Sequence, residues 1–451
     1  MWIMSHPWQE EPTRPPCSLP VGNATQMDMS VTEATHRRDA APPTLPEARR
    51  RFGFLVSGTA MVLLIAAVAA PSPVYPLYQT EWHLAPVTLT AMFAIYVAGL
   101  LVVLLTAGSL SDFVGRRPVI VAASLISIAG LVLLAIAPSA GWVMVARVVQ
   151  GVSMALAVGA LGAALLDFAP PGRARLAAML NGSLPPIGLA LGALVGSGLV
   201  EFGPDPTRLV YVIIAVLVAL VTVPLCFLPE RNERRPGALA SLAPTVALPA
   251  EVRGIFVAVL GCLLASWALG GLYLGMGASI VRSVFDIQAA VVGGVAIAVV
   301  TGIGALTGIL TQRQDALRVM LTGGAALIVG PLLMVLSVTA DLPWLFFVSS
   351  VVGGVGFGAG FQGGLRMIVA ESPAADRAGV LSSVYLVCYL SFGVPCLVAG
   401  LLTPSLGLTT VIVGYTVFVC LLAALAMLLQ LTRASARRSE LLADADDAAD
   451  R

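Results

Sequence analysis

Four long stretches of the chain contain no charged residue. They cover residues 82–111, 118–146, 254–281 and 378–432, where Asp, Glu, Lys and Arg are all absent. Only 11% of the 451 residues are charged and 58% are hydrophobic, with a mean hydropathy of +0.94. Soluble domains carry about 25% charged residues, so this chain does not fit that class. Each charge-free stretch has room for one or two helices of about 20 residues, the length that crosses a bilayer.

Apolar segments of spanning length follow one another along most of the chain. We predict twelve of them, at residues 53–80, 86–110, 117–137, 141–167, 175–203, 208–228, 253–281, 287–311, 317–338, 342–370, 378–403 and 408–430. The predicted fold class is therefore an all-α membrane protein with twelve transmembrane helices. Residues 1–50 are polar, rich in Pro and Thr, and without the apolar core of a signal peptide. We interpret them as a disordered cytoplasmic tail.

Arginine alternates between the predicted loops. Basic residues occupy every second loop, from Arg49 through Arg433, whereas the intervening loops hold only Arg208 and Arg282. Cytoplasmic loops of membrane proteins retain positive charge. We therefore expect both termini to be cytoplasmic, in a multi-pass protein of the cell (inner) membrane, with residues 431–451 as a second tail.

The predicted helices divide into two sets of six. The longest internal hydrophilic stretch, 229–252, is interpreted as a linker between an N-terminal bundle at 53–228 and a C-terminal bundle at 253–430. GSLSD at 108–112 recurs as GILTQ at 308–312, and in each half an acidic residue precedes an arginine by six positions. These pairs are Asp167 with Arg173 and Glu371 with Arg377. Parallel six-helix repeats are one architecture of secondary transporters, with the substrate site near the midplane.

The loop after the second predicted helix carries a family resemblance. GSLSDFVGRRP resembles the signature loop of the major facilitator superfamily, G-x-x-x-D-x-x-G-R-R, although Phe113 stands where an arginine is usual. RVVQG in the fourth helix and LPER after the sixth resemble two further motifs of that superfamily. The matched positions of the first two motifs are Gly108, Asp112, Gly115, Arg116, Arg117, Arg147, Gln150 and Gly151. The resemblance implies two pseudo-symmetric six-helix bundles that work by alternating access, and it is not specific for a substrate.

The signature loop has a physical interpretation as a cytoplasmic latch. Asp112 can accept backbone N–H groups or meet the positive N-terminus of a helix from the other bundle, and we expect Arg117 to pair with Asp167. Such contacts would hold the bundles together while the cavity opens outward, and they would break for inward opening. Positive-inside topology alone would explain the arginines but not Asp112 or the glycines. The predicted latch comprises Gly108, Asp112, Gly115, Arg116, Arg117, Asp167, Arg173, Glu371 and Arg377.

Arg147 is predicted to lie at membrane depth, about two turns into the fourth helix. An ionisable residue there is costly and is a functional hypothesis by default. The resemblance implies a role in ion coupling or substrate binding, shared with Gln150, and the alternative is a structural arginine that extends toward the lipid headgroups. Arg366, near the inner end of the tenth helix, is interpreted as an arginine of the latter kind. Pro185 and Pro186 are expected to break the fifth helix locally.

No Asp or Glu is predicted in the middle of a helix, although proton-coupled carriers commonly cycle a buried carboxylate. The superfamily pattern implies a cavity between the two bundles. Aromatic, methionine and neutral amide side chains predicted to lie there favour a lipophilic or neutral substrate, with ordinary helix packing as the alternative for each residue. The cavity candidates are Tyr96, Met154, Asn181, Trp267, Tyr273, Phe361, Gln362, Tyr385 and Tyr389.

The sequence argues against several classes of function. Without Lys there is no phosphate-binding Gly-Lys-Ser/Thr loop, and the three histidines are too far apart along the chain to indicate a metal site. We predict no cofactor, no enzyme activity and no nucleic-acid partner. The favoured function is proton-coupled efflux of lipophilic small molecules by a monomer. The alternatives are transport or facilitated diffusion of a small neutral metabolite, and a non-transporting membrane receptor of the same fold.

Overall fold

The computed structural model describes residues 46–108, 110–230, 248–373 and 376–449, and these residues form helices and connections without a β-strand. Twelve of the helices are long and apolar enough to cross a membrane. They are α1 Glu47–Ala69, α2 Pro86–Ala107, α3 Arg116–Ala135, α4 Ala140–Asp167, α5 Ala174–Phe202, α6 Leu209–Cys226, α7 Ala250–Val284, α8 Ala290–Leu310, α9 Ala316–Ala340, α10 Pro343–Glu371, α11 Arg377–Leu406 and α12 Leu408–Ala449. The predicted all-α class and the predicted number of spans are confirmed.

The outermost helices extend beyond their predicted ends. Helix α1 begins at Glu47, inside the predicted tail, where the Glu47 carboxylate pairs with Arg51 one turn later. Helix α12 continues to Ala449, through most of the tail predicted at 431–451. Polar residues can extend a helix into water because its backbone bonds are internal, so apolar length alone underestimates both helices. The rest of the predicted N-terminal tail and most of the predicted linker, at 231–247, lie outside the described residues.

The first predicted span is not one helix. It is divided into α1 and a short helix, Tyr75–Glu81, and the connection between them contains Pro71 and Pro73, neither of which can donate a backbone hydrogen bond. Helix α7 has an irregularity of its own near its end, a π-helical turn at Tyr273–Gly277. Single π turns inside α-helices are frequent at functional sites.

Pro185 and Pro186 do not break the fifth helix. Helix α5 runs without interruption from Ala174 to Phe202 with both prolines inside it. Neighbouring helices can compensate for the two lost N–H groups, and Gly188 and Gly192 let α5 lie directly against the backbone of α1. The expected break is therefore wrong.

The helices pack mainly within two sets, α1–α6 and α7–α12. Two pairs join the sets most extensively, α5 with α8 and α2 with α11. The junctions α2–α3, α4–α5, α8–α9 and α10–α11 lie at one end of the molecule, which we call the arginine-rich face. The junctions α1–α2, α5–α6, α7–α8 and α11–α12 lie at the other end, called the opposite face.

Candidate functional site

Arg147 is buried inside the first set of helices, with 1% of its surface exposed. Its Nη1 donates to the carbonyl oxygen of Val68 at 3.1 Å and to Oε1 of Gln150 at 2.8 Å. Its Nε donates to the carbonyl oxygen of Met92 at 3.4 Å. The guanidinium is thus held by three helices, α1, α2 and α4. It does not extend toward headgroups.

The partners of Arg147 explain how a charge is tolerated here. Helix α1 ends at Ala69, so its last carbonyl groups lack helical donors and carry the negative end of the helix dipole. Gln150 Nε2 donates to the carbonyl oxygen of Ala67 at 3.1 Å, next to the Val68 carbonyl that accepts from Arg147. The Tyr96 ring lies 4.6 Å from the guanidinium carbon, in cation–π geometry. Arg147 and Gln150 therefore cap α1, and no carboxylate in the described part of the chain pairs with Arg147.

Two glycines bring α2 and α4 close enough to build this site. A Cβ at Gly151, the last residue of the RVVQG motif, would overlap the carbonyl oxygen of Tyr96. A Cβ at Gly99 would lie 2.8 Å from the carbonyl oxygen of Val148. The two backbones are therefore in direct contact, which sets Tyr96 beside Arg147.

The first half of the predicted latch is built around the start of α3. Arg116 Nη1 forms an ion pair with Asp167 Oδ2 at 2.5 Å. The expected pair of Arg117 with Asp167 is therefore wrong. The side chain of Glu230 accepts the backbone N–H groups of Arg116 and Arg117 at 3.1 and 3.0 Å. Gly115 precedes them with φ 105°, a conformation that favours glycine, and a Cβ there would also crowd Glu230.

Glu230, which the sequence singles out only as part of LPER, is thus a capping residue of α3. Its carboxylate lies at the positive end of the α3 dipole and satisfies two of the N–H groups that a helix start leaves free. The sequence gives no indication of this contact, because Glu230 lies more than 110 positions away from α3.

Asp112 takes no part in this cluster. It lies in a short helix, Leu110–Val114, and its side chain is exposed and without a partner in the described residues, as is the side chain of Arg117. Gly108 ends α2, and its carbonyl oxygen lies 3.6 Å from the Cβ position of Gly159 on α4. All of these contacts lie within α1–α6 and the segment after α6, and among the described residues no hydrogen bond or ion pair of the signature loop reaches α7–α12.

The remaining latch residues lie at the corresponding ends of α4, α5, α10 and α11. Glu371 pairs with Arg433 at 2.9 Å, which ties the end of α10 to α12. Arg377 Nε donates to the carbonyl of Ser372 at 3.3 Å across the α10–α11 connection. Arg173 is exposed directly before α5.

The opposite face is closed by contacts between the two sets. Phe93 of α2 and Phe392 of α11 pack with ring centroids 5.0 Å apart. Glu201 at the end of α5 accepts the backbone N–H of Ala290, the first residue of α8, at 2.6 Å. This carboxylate caps a helix of the other set, where the dipole favours negative charge.

Helix α2 is less buried toward the arginine-rich face. Every buried residue of α2 lies between Leu89 and Leu100, and none lies in 101–107. The α5 side still touches, because Arg175 Nη2 donates to the carbonyl of Gln312 at 3.3 Å. The contacts of α2 with the second set are therefore concentrated toward the opposite face.

Four cavity candidates meet in the second set. The Trp267 ring contacts Tyr389, Phe361 and Tyr385 at centroid distances of 4.7, 5.5 and 6.4 Å, and it also contacts Phe392 at 5.8 Å. Most of these rings meet edge to face, which is a favourable arrangement. The Trp267 Nε1 group is buried and has no acceptor in the part of the chain that the structure describes. We call these five residues the aromatic cluster.

Two carboxamides lie on opposite sides of the space between the sets. Gln362 of α10 lies on Gly308 of α8, and its Nε2 is 3.8 Å from the Cβ position of Gly182 on α5. Asn181, next to Gly182, lies against Gly162 of α4. Both are half-buried, and neither has a hydrogen-bond partner within the ranges that the structure covers.

The other three cavity candidates are placed in helix packing. Tyr96, Met154 and Tyr273 are at most 6% exposed. Tyr96 lies against Arg147, and Tyr273 is hydrogen-bonded to Ser350 at 3.0 Å at the π turn of α7. Among the described residues none of the three makes a ring contact with the aromatic cluster, although Tyr96 lies near Tyr389.

Arg366 reaches the connection that follows α8. Its Nη1 donates to the carbonyls of Thr311, Gln312 and Gln314 at 3.4, 3.1 and 3.2 Å. The position of Arg366 one turn after Gln362, on a glycine-rich helix, is the signal by which the sequence could have indicated an inward-facing side chain.

Among the described residues, no group of three or more His, Cys, Asp or Glu could hold a metal ion.

Comparison with known proteins places this arrangement in a family. The model described as "Major Facilitator Superfamily" matches residues 57–336. No curated protein matches the sequence. Among solved structures, a bacterial homologue of the human lysosomal transporter Spinster, inward-facing and unoccupied, is similar with a TM-score of 0.66 and 16% identity over 87% of this chain and 98% of that one.

Two further structures are similar to the same degree. The inward-facing and occupied form of a bacterial Spinster homologue has a TM-score of 0.63 and 17% identity over 85% of this chain and 97% of that one. A mutant of the nucleoside transporter NupG has a TM-score of 0.63 and 14% identity over 84% of this chain and 99% of that one. At these identities the likeness concerns the fold.

Proposed function

The chain belongs to the Major Facilitator Superfamily, and from this premise we propose that it is a secondary transporter that exports lipophilic small molecules in exchange for protons. The observation that supports this most is the aromatic cluster around Trp267, which borders the first set where Phe392 packs on Phe93 and which contains no charged side chain. Such a surface suits an apolar ligand.

Transport would proceed by alternating access between two bundles, residues 53–228 and 253–430. The contacts of Phe93 with Phe392 and of Glu201 with Ala290 would break when the opposite face opens. The exposed Asp112 would then approach the second bundle and complete the latch. In this proposal the arginine-rich face is cytoplasmic, both termini are cytoplasmic, and the protein acts as a monomer in the inner membrane.

Proton exchange needs a titratable group whose state differs between the two conformations. Glu201 is the group we propose, because its carboxylate caps α8 in this structure and would lose that partner when the opposite face opens. Protonation removes the favourable interaction of the negative charge with the α8 dipole and would weaken this closure. Arg147 donates to backbone carbonyls and is permanently charged, so it would hold the helices of the site in place and would not carry the proton.

The test uses purified protein in liposomes with an internal pH probe and an imposed proton gradient. Lipophilic cations and then neutral metabolites are added in turn. Dissipation of the gradient by a lipophilic compound, lost in Glu201→Gln but kept in the matched variant Glu81→Gln, supports proton-coupled export. Glu81 is an exposed acidic residue near the same face.

A second candidate function is transport of a small neutral metabolite without protons. It is favoured by the two unpartnered carboxamides, Asn181 and Gln362, which can donate to and accept from a polar ligand. Equilibration of a labelled neutral metabolite without proton movement would favour it. Saturable binding with no flux of any compound would favour a receptor.

A further inference from the structure

Arg366 holds the end of a neighbouring helix with only part of its guanidinium. It lies five residues before the end of α10, about 8 Å along the helix axis. Its Nη1 donates to three backbone carbonyls just beyond the end of α8, at Leu310. Carbonyls at a helix C-terminus lack helical donors, so this contact satisfies both sides.

The other two nitrogen atoms of Arg366, Nε and Nη2, have no partner among the described residues. Both atoms are buried and make no hydrogen bond there. Of the nearby acidic residues, Glu371 pairs with Arg433 at 2.9 Å. Asp315 accepts the N–H of Arg318 at 3.0 Å, and its charge acts on Arg366 only from beyond ion-pair distance. No ion pair with Arg366 occurs in the described ranges. Arg366 is half-buried, but its two unused donors are themselves buried, which is costly and indicates a partner that arrives from outside the protein.

The geometry of the unused edge indicates what the partner is. Nε and Nη2 form one edge of the planar guanidinium, with two N–H bonds directed the same way. A carboxylate presents two oxygen atoms at the matching spacing and forms two parallel hydrogen bonds with such an edge. A neutral carbonyl would satisfy only one donor and would leave the charge uncompensated.

The surroundings of Arg366 indicate the rest of the ligand. Gln362 lies one turn deeper on the same face of α10, at the space between Gly308 and Gly182. Phe361, beside Gln362, belongs to the aromatic cluster through Trp267. One helix therefore carries an apolar contact, an unpartnered carboxamide and a free guanidinium edge, in this order toward the arginine-rich face.

We propose that Arg366 binds the carboxylate of the substrate, and that the substrate class is a lipophilic monocarboxylic acid in its anionic form. The apolar body lies against the aromatic cluster and the carboxylate lies on the Nε–Nη2 edge. This inference deepens the proposed export function and rests on it for the role of the cavity.

Binding to the purified full-length protein tests the inference by calorimetry. The probes are 1-naphthoate and its neutral analogue 1-naphthamide, which share the same ring system. We expect the wild-type protein to bind the carboxylate at least about tenfold more tightly, the effect of one charged hydrogen-bonded pair. Arg366→Gln should abolish this preference, and Arg366→Lys should retain only part of it, because an ammonium group offers no bidentate edge. Arg313→Gln, an exposed arginine in the α8–α9 connection, should keep it in full.

Several outcomes would overturn the inference. Equal affinity of the wild-type protein for the two probes would do so without any variant, as would a preference that survives in Arg366→Gln. Tighter binding of 1-naphthyl phosphate than of 1-naphthoate would show that the site prefers a phosphate to a carboxylate. In liposomes, carboxylate preference without proton movement would leave the Arg366 site standing and refute proton exchange. If a neutral probe moves protons equally in the wild-type protein and in Arg366→Gln, and no carboxylate preference is found, the proposed proton exchange stands and the Arg366 site is refuted.

Discussion

Gly151→Ala is expected to separate two helices whose backbones touch. The new Cβ would overlap the carbonyl oxygen of Tyr96 and lie 2.7 Å from the backbone nitrogen of Leu100. Ordinary contacts between such atoms need about 3.5 Å, so α2 and α4 must move apart by about 1 Å. Both obstacles are backbone atoms within helices, which cannot rotate away as a side chain could.

The energetic consequence is a loss of stability. Overpacking in a well-packed interior costs about 1–3 kcal/mol, and the higher helix propensity of Ala offsets at most about 1 kcal/mol of it. The movement would also lengthen the contact between Arg147 Nε and the Met92 carbonyl, which is already 3.4 Å. We therefore expect reduced transport together with reduced stability.

Thermal unfolding in detergent measures the effect, with a thiol-reactive fluorophore as the reporter. Cys262, Cys388 and Cys396 are buried, so they react only as the helices come apart. The matched control is Gly414→Ala inside α12, where an added Cβ meets nothing within 4 Å. We expect a lower midpoint for Gly151→Ala and an unchanged or higher midpoint for Gly414→Ala. Equal shifts in the two variants would refute the packing argument.

Three further predictions concern the helix caps, the turn before α3 and the aromatic cluster. Glu230→Gln removes a negative charge from the α3 N-terminus and should lower stability by about 0.3–1 kcal/mol in the same thiol assay, with Glu81→Gln unchanged. Gly115→Ala, at φ 105°, should lower stability by about 1–2 kcal/mol, and an unchanged stability would contradict the positive φ. Trp267→Leu should weaken binding of 1-naphthoate by calorimetry, whereas Trp344→Leu, with a tryptophan that is 62% exposed, should not. Equal affinities of these two variants would remove the aromatic cluster from the site.

The number of helices was predictable because the bilayer imposes a simple rule. A spanning segment must satisfy its backbone internally and present apolar side chains, so charge-free length translates directly into helices. Proline shows where this rule ends. Pro71 and Pro73 coincide with the end of α1, whereas Pro185 and Pro186 lie inside an unbroken α5. The difference depends on which neighbouring helices pack there, and one sequence does not contain that information.

The sequence indicated which polar residues lie near one another, but not which of them form a pair. Arg116 and Arg117 both follow Gly115, and successive residues on a helix point about 100° apart, so the orientation of α3 decides which one meets Asp167. The carbonyl partners of Arg366 were unpredictable for a related reason. Its inward direction depends on where α8 ends, at Leu310, and on the carbonyls that follow.

A reversible crosslink across the opposite face tests the alternating-access account most directly. Thr90 of α2 and Gly400 of α11 are in contact, since a Cβ at Gly400 would lie 2.8 Å from that of Thr90. Cysteines at both positions, in a background without the natural cysteines, can form a disulfide with small backbone adjustment. Substrate flux in liposomes is then measured before and after reduction with dithiothreitol. The account predicts that the oxidised protein binds substrate but transports none, and that reduction restores flux. Undiminished flux through the fully crosslinked protein would contradict it.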